Sequence, residues 1–289
     1  MILHEDENLE VWDAHTHFSN LIARPLKFLF KKLAIYEIMD LNFANWSRFK
    51  RNSADRTEKN VKLYEQVLDF YHIDKAIHLP VFKLDRKLSY RMNELLPERI
   101  FGFGYVNPNS RHLDSDLSDL LENDVLGIKL HPHLMKFTFL SHVEELLKIF
   151  HFCAEHKIII LSHTGSHSAL KNVVPLLKKS EETVFIIGHS GLCPQVDQAL
   201  EVARNCPNSY LEISGNPYNS KFMEAIKDPA IGMNKILFGT DLPSLHPRVE
   251  MEKILSLPIS VEEKRMILSK NLQGLMKKFL GNKFTNLVN

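Results

Sequence analysis

Eight short runs of β-branched, aromatic and aliphatic residues recur along the chain, and their spacing limits the fold more than any other feature. They are LEVWDAHTHF (9–18), KAIHLPVF (75–82), IFGFGYVNP (100–108), GIKLHPH (127–133), IIILSHTG (158–165), VFIIGHSG (184–191), SYLEISG (209–215) and ILFGTDLP (236–243). Several are apolar on both faces until a polar C-terminal end, the pattern of parallel strands covered by helices. Taking those ends near 17, 79, 105, 131, 163, 189, 214 and 241, the later intervals are about 26, 26, 32, 26, 25 and 27 residues, close to one βαβ unit of ~30. Helical stripes lie between them, such as Val61, Tyr64, Leu68 and Tyr71, then Val143, Leu146, Leu147, Phe150, Cys153 and Ala154, and near the end Leu268, Leu272, Leu275, Met276 and Phe279. Eight such units predict an α/β chain closed as a (β/α)8 TIM-like barrel rather than a doubly wound sheet.

No linker or composition break divides the chain, so residues 1–289 are expected to form a single domain. The first interval is the exception, at about 62 residues. Residues 19–59 form an insertion after strand 1, with the apolar stretches LKFLFKKLAIYEIM and LNFANW. An excursion from that side of a barrel reads as an active-site lid or a subunit contact, which leaves a homodimer open.

Polar residues gather at the strand ends. In VWDAHTHFS, Asp13, His15 and His17 occupy alternate positions, which on a regular strand share one face. Other ends give Lys129 and His131, His163, His189 and Asp241. Singly, each has a dull explanation: a hydrogen-bonded structural histidine, an Asx turn in GTD, or a helix cap in GHSG. Together, on the one face where such barrels build their sites, four histidines and an aspartate indicate a metal centre.

The motifs DAHTHF, GIKLHPH, LSHTG, GHSG and FGTDLP resemble, in order and across residues 9–280, the motif series of the amidohydrolase superfamily. The match is nearest to its second amidohydrolase family, which contains the aminocarboxymuconate-semialdehyde and hydroxybenzoate decarboxylases. The resemblance also implies the barrel. It implies that His15, His17, His163 and Asp241 bind a divalent metal, usually zinc, and that His189 is a metal-free catalytic group or a ligand of a second metal. Three imidazoles and a carboxylate suit Zn²⁺, which lowers the pKa of bound water to about 7. Asp241 then serves as base, and His189 orients or protonates substrate. Asp13 or Thr164 is expected to partner the second nitrogen of a ligand histidine. Two-metal members carry a carbamylated lysine or a glutamate on strand 4, where this chain has Lys129 and His131. One metal is therefore expected before two, and Lys129 is open to carbamylation, to substrate binding or to a barrel ion pair.

The expected activity is a metal-dependent hydrolase, with a decarboxylase or hydratase as the alternative and a non-catalytic metal-binding barrel as the third. Residues 21–51 hold seven basic side chains against two acidic ones, mostly read as solvated helix faces. With Lys129, His131, His133 and Arg248 on the rim they favour a small carboxylate-bearing substrate, cyclic or unsaturated given Phe18, Phe43 and Trp46; Arg248 is its expected anchor. A net charge of +1 argues against a nucleic-acid partner. No apolar run is long enough for a bilayer, so no membrane partner is expected. Three cysteines without C-x-x-C spacing, and no signal-peptide pattern, make a cytoplasmic location the expectation.

Overall fold

The computed structural model describes residues 9–18, 54–165 and 168–288; most of the insertion, and with it Phe43, Trp46 and the basic residues of 21–51, lies outside them. The strands are β1 (Trp12–Thr16), β2 (Lys75–His78), β3 (Ile100–Gly102), β4 (Gly104–Tyr105), β5 (Gly127–Leu130), β6 (Ile159–His163), β7 (Phe185–Gly188), β8 (Ser209–Glu212) and β9 (Ile236–Leu237). The helices are α1 (Ala54–Phe70), α2 (Arg86–Leu95), α3 (Leu113–Glu122), α4 (Pro132–Met135), α5 (Val143–Glu155), α6 (Val174–Lys179), α7 (Leu192–Asn205), α8 (Asn219–Lys227), α9 (Pro247–Leu255), α10 (Val261–Arg265), α11 (Asn271–Leu280) and α12 (Asn282–Val288).

Every strand pair is parallel, in the orders β1-β2-β3 and β4 through β9. The two sheets are one barrel. The third expected strand is divided at Phe103, whose N–H donates to the His78 carbonyl at 2.9 Å while β4 turns to β5. The far seam closes through Ala14 N–H to Phe238 O (2.9 Å), His17 N–H to Leu242 O (2.6 Å) and a bridge between Thr16 and Leu242. The result is the (β/α)8 TIM barrel that the spacing predicted.

Alternation along the strands builds two layers of core. Ile128, Leu130, Ile160, Phe185, Ile187 and Leu211 join the larger cluster with the helices, including Val61, Tyr64 and Leu68 of α1. Ile77, Phe101, Phe103, Ile159, Leu161, Ile186 and Leu237 form a second cluster with Trp12. Leu272, Leu275, Met276 and Leu280 of α11, with Phe284 of α12, pack onto that second cluster and seal the barrel floor. Burial of such side chains contributes roughly 1.5–3 kcal/mol each, so stability resides in the walls and floor. The C-terminal mouth is thereby free to carry polar groups that packing alone would reject. Among the described residues no helix is long and apolar enough to cross a membrane.

Candidate metal centre

Strand β1 is not regular. Asp13 pairs with Ala76 and Thr16 with His78, so three steps on β1 oppose two on β2. This bulge overturns the expectation that Asp13, His15 and His17 share a face, because the extra residue breaks the two-residue period. The Asp13 carboxylate instead accepts from the backbone N–H of His15 (2.9 Å) and from Thr240 N–H (3.0 Å) and O–H (2.5 Å). Burial pushes its pKa up to about 8. Asp13 thus ties β1 to the loop after β9 and touches neither imidazole ring nitrogen.

His15 and His17 nevertheless converge. Their Nε2 atoms lie 3.1 Å apart. Asp241 Oδ1 lies 3.2 Å from His17 Nε2 and 3.6 Å from His15 Nε2. Asp241 is held there because its N–H donates to the His15 carbonyl at 2.7 Å, and it takes φ +53°, a left-handed conformation costly for a non-glycine residue. His17 gives its Nδ1 proton to Leu79 O at 2.8 Å. His15 Nδ1 meets Glu212 Oε2 at 2.5 Å. Neither Asp13 nor Thr164 fills that role: Thr164 O–H donates to Gly188 O and accepts from Gly191 N–H.

Glu212, which sequence reasoning did not select, is the hub of the buried layer beneath. Besides His15 it receives His189 N–H (3.0 Å) and Ser214 O–H (3.1 Å) on Oε2, and Ser214 N–H on Oε1 (2.6 Å). Burial raises its pKa, opposed by His189 and these donors. Gly239 of the GTD motif is required here, since a Cβ at that position would overlap Glu212 Oε1 and crowd His15 Cβ at 2.9 Å. The His189 Nδ1 proton goes to Ser214 O at 3.1 Å, which leaves Nε2 as its reactive nitrogen. His189, Ser190 and Leu192 all adopt positive φ, so GHSG is a strained turn rather than a plain helix cap.

The remaining residues that the sequence singled out lie as follows. Lys129 is fully buried, with Nζ 2.8 Å from His15 Nε2. Burial lowers its pKa to about 8. His163 and His131 stack face to face, centroids 4.0 Å apart and planes 8° from parallel, and His163 is 4.7 Å from the His189 ring. His163 lies outside the group formed by His15, His17 and Asp241. His131 also caps α4 by accepting Leu134 N–H at 3.4 Å. Arg248 is exposed on the first turn of α9, its guanidinium 5.2 Å from the Phe70 ring centre. Burial, reinforced by neighbouring positive groups, drives the pKa values of His15, His131 and His163 down; it also lowers that of His189, against nearby carboxylates. The imidazoles are therefore neutral, the form that ligates metal. Burial pushes Asp241 upward, but the His17 contact, the neighbouring His189 and His17 rings and the Lys129 amine outweigh it and keep its pKa below the usual range.

Two imidazole nitrogens and a carboxylate oxygen thus face one another at 3.1–3.6 Å. The spacing fits a divalent ion. Ligand atoms about 2.0–2.1 Å from a tetrahedral centre are ~3.3 Å apart. The two nitrogens and one oxygen have the separations, the chemistry and the outer-nitrogen anchors of a metal site.

The profile of the amidohydrolase family matches residues 12–271, and the chain belongs to that family. No curated protein matches it in sequence. Among solved structures it is similar to an uncharacterized TIM-barrel protein from Bordetella bronchiseptica, with TM-score 0.72 and 16% identity over 93% of this chain and 99% of that one. It is also similar to a probable 2-pyrone-4,6-dicarboxylic acid hydrolase from Acinetobacter baumannii with citric acid bound (TM-score 0.65, 14% identity, 92% and 99% covered). A third is a 5-carboxyvanillate decarboxylase from Novosphingobium aromaticivorans, complexed with manganese and 4-hydroxy-3-methoxy-5-nitrobenzoic acid (TM-score 0.64, 14% identity, 94% and 97% covered). At these identities the likeness is one of fold.

Proposed function

We propose that the chain is a divalent-metal-dependent hydrolase of a small, carboxylate-bearing cyclic or unsaturated substrate. The observation that supports this most is the convergence of His15 Nε2, His17 Nε2 and Asp241 Oδ1 at the barrel mouth, with Asp241 the most open of the three side chains at 14% exposure. When bound there, a divalent ion supplies Lewis acidity for activating water or polarising a carboxylate oxygen. Asp241 contributes the base: with Oδ1 turned to the imidazoles, Oδ2 takes the proton of an attacking water and returns it to the leaving group. His189 Nε2 holds or gives a proton on the substrate from the other side. Lys129, His131 and His163 line the same mouth and favour an anionic substrate. Two of the similar structures, the pyrone dicarboxylic acid hydrolase and the carboxyvanillate decarboxylase, are named for carboxylate-bearing rings. The donor set suits zinc, while manganese accompanies the decarboxylase. Three free cysteines agree with a reducing compartment such as the cytoplasm.

A second reading, decarboxylation, is favoured by the buried Lys129 amine at 2.8 Å from His15, because a cation in a dry pocket draws in a carboxylate. There the C–C bond breaks, CO₂ departs and a proton is delivered to the ring carbon. Isotopes separate the two in a screen of lactone and hydroxybenzoate acids with added Zn²⁺ or Mn²⁺. Hydrolysis in H₂¹⁸O places one ¹⁸O in the product. Decarboxylation in D₂O places deuterium on the ring carbon and releases CO₂. Turnover confined to neutral or cationic compounds would overturn the substrate class.

A further inference from the structure

Lys129 poses a physical problem of its own. Its side chain is completely buried, and among the described residues its Nζ has one partner within hydrogen-bond distance, His15 Nε2 at 2.8 Å. No described carboxylate lies within 4.0 Å of it; the ion pairs of this region join His15 and His17 to Glu212 and Asp241. A buried amine with three donors and a single acceptor is costly unless its position serves something else. The acceptor it meets is the same lone pair that would ligate the metal. With the Nδ1 proton of His15 given to Glu212, its Nε2 is left as an acceptor, and it faces His17 Nε2 and the Asp241 carboxylate. The lone pair of His15 Nε2 cannot serve both at once: it takes an N–H from the Lys129 amine or a bond to an ion between the three atoms.

We infer that Lys129 is a built-in stand-in for the metal: its Nζ caps His15 Nε2 while the site is metal-free, and it must leave that position when an ion enters. The inference rests on the metal reading of His15, His17 and Asp241. It makes Lys129 a competitor that sets metal affinity, the opposite of a ligand.

The test compares wild type with Lys129→Met, which keeps the length and removes the amine. Zn²⁺ affinity is measured by chelator competition, and thermal unfolding is followed with and without Zn²⁺. The stand-in predicts that Lys129→Met binds Zn²⁺ about tenfold more tightly or better, since a like charge no longer opposes the ion. It predicts that the metal-free variant melts several degrees lower, with most of the loss restored by Zn²⁺. Weaker binding by the variant would make Lys129 a ligand, through carbamylation, and overturn the inference; so would an affinity unchanged within about twofold. Wild type that takes no Zn²⁺ beside a variant that does would sink the metal-dependent function while supporting the stand-in. Absence of binding in both would sink both. If the variant does not fold, crystals of wild type with and without Zn²⁺ decide. Nζ should move beyond hydrogen-bond reach of His15 Nε2 on loading, and an Nζ still in place beside a bound ion would contradict the proposal.

Discussion

Glu212→Gln is the sharpest perturbation of the layer beneath the centre. The glutamate receives four donors: the His15 ring N–H, the His189 backbone N–H, and the N–H and O–H of Ser214. Glutamine keeps one oxygen and replaces the other with NH₂. With its oxygen toward His15 and His189, the NH₂ meets the Ser214 N–H now 2.6 Å from Oε1; reversed, it meets His15 and His189. Either way at least one buried donor loses its acceptor, at about 1–3 kcal/mol, and the charge assistance to His15 is lost as well. The expected destabilisation is therefore about 2–4 kcal/mol in urea unfolding of the metal-free protein. Metal affinity should fall about 10–100-fold, because the anchor that fixes the His15 tautomer and ring is weakened. A stability change below ~0.5 kcal/mol together with unchanged affinity would refute Glu212 as the acceptor of these four groups.

Replacing both His15 and His17 by alanine should abolish metal binding and turnover while a folded barrel remains, since walls and floor carry the core; circular dichroism and metal analysis check this. His189→Asn should keep the metal and cost about 10²–10⁴ in kcat, measured on whichever acid proves to be a substrate. Arg248→Met should leave metal content and KM for acids unchanged if its contact with Phe70 is its whole role, and a raised KM would restore it as the substrate anchor. His78, bonded to Ser89 and Phe18, has its pKa lowered by burial to about 4. The unfolded chain binds the extra proton between about pH 6.5 and 4, so its contribution is complete above that window and lost as pH falls through it, on the order of 3 kcal/mol. Urea unfolding at pH 7 and 4.5, with His78→Gln as the reference, reads this slope.

The barrel was legible because parallel strands covered by helices are apolar along their length and recur at the pitch of a βαβ unit. The division at Phe103 was not, because either sheet assignment leaves the same apolar run. The polar mouth was legible as His and Asp at strand ends, and His15, His17 and Asp241 do meet. The bulge in β1 was hidden, since an extra residue changes facing without changing composition, and so Asp13 was given the wrong neighbours. Glu212 was missed because SYLEISG places it two residues after Tyr210, which reads as the polar face of a half-exposed strand. In the barrel that face spans floor to mouth, with Tyr210 against the floor cluster and Glu212 under His15. The signal available was a lone acidic residue at the end of an otherwise apolar central strand. Arg248 was placed by its nearness in sequence to Asp241. On that helix Glu250 is buried and accepts Gly215 N–H at 3.1 Å, while Arg248 is exposed beside Phe70, and its part in substrate binding is left to the Arg248→Met measurement.

The central claim, that His15, His17 and Asp241 hold a divalent ion at the mouth, is tested most directly by anomalous diffraction from crystals grown with Zn²⁺, paired with a metal count per chain. The account predicts one ion per chain, about 2.0–2.2 Å from His15 Nε2, His17 Nε2 and Asp241 Oδ1. A loaded crystal with no anomalous peak at these three atoms, or with its peak elsewhere in the barrel, would contradict it.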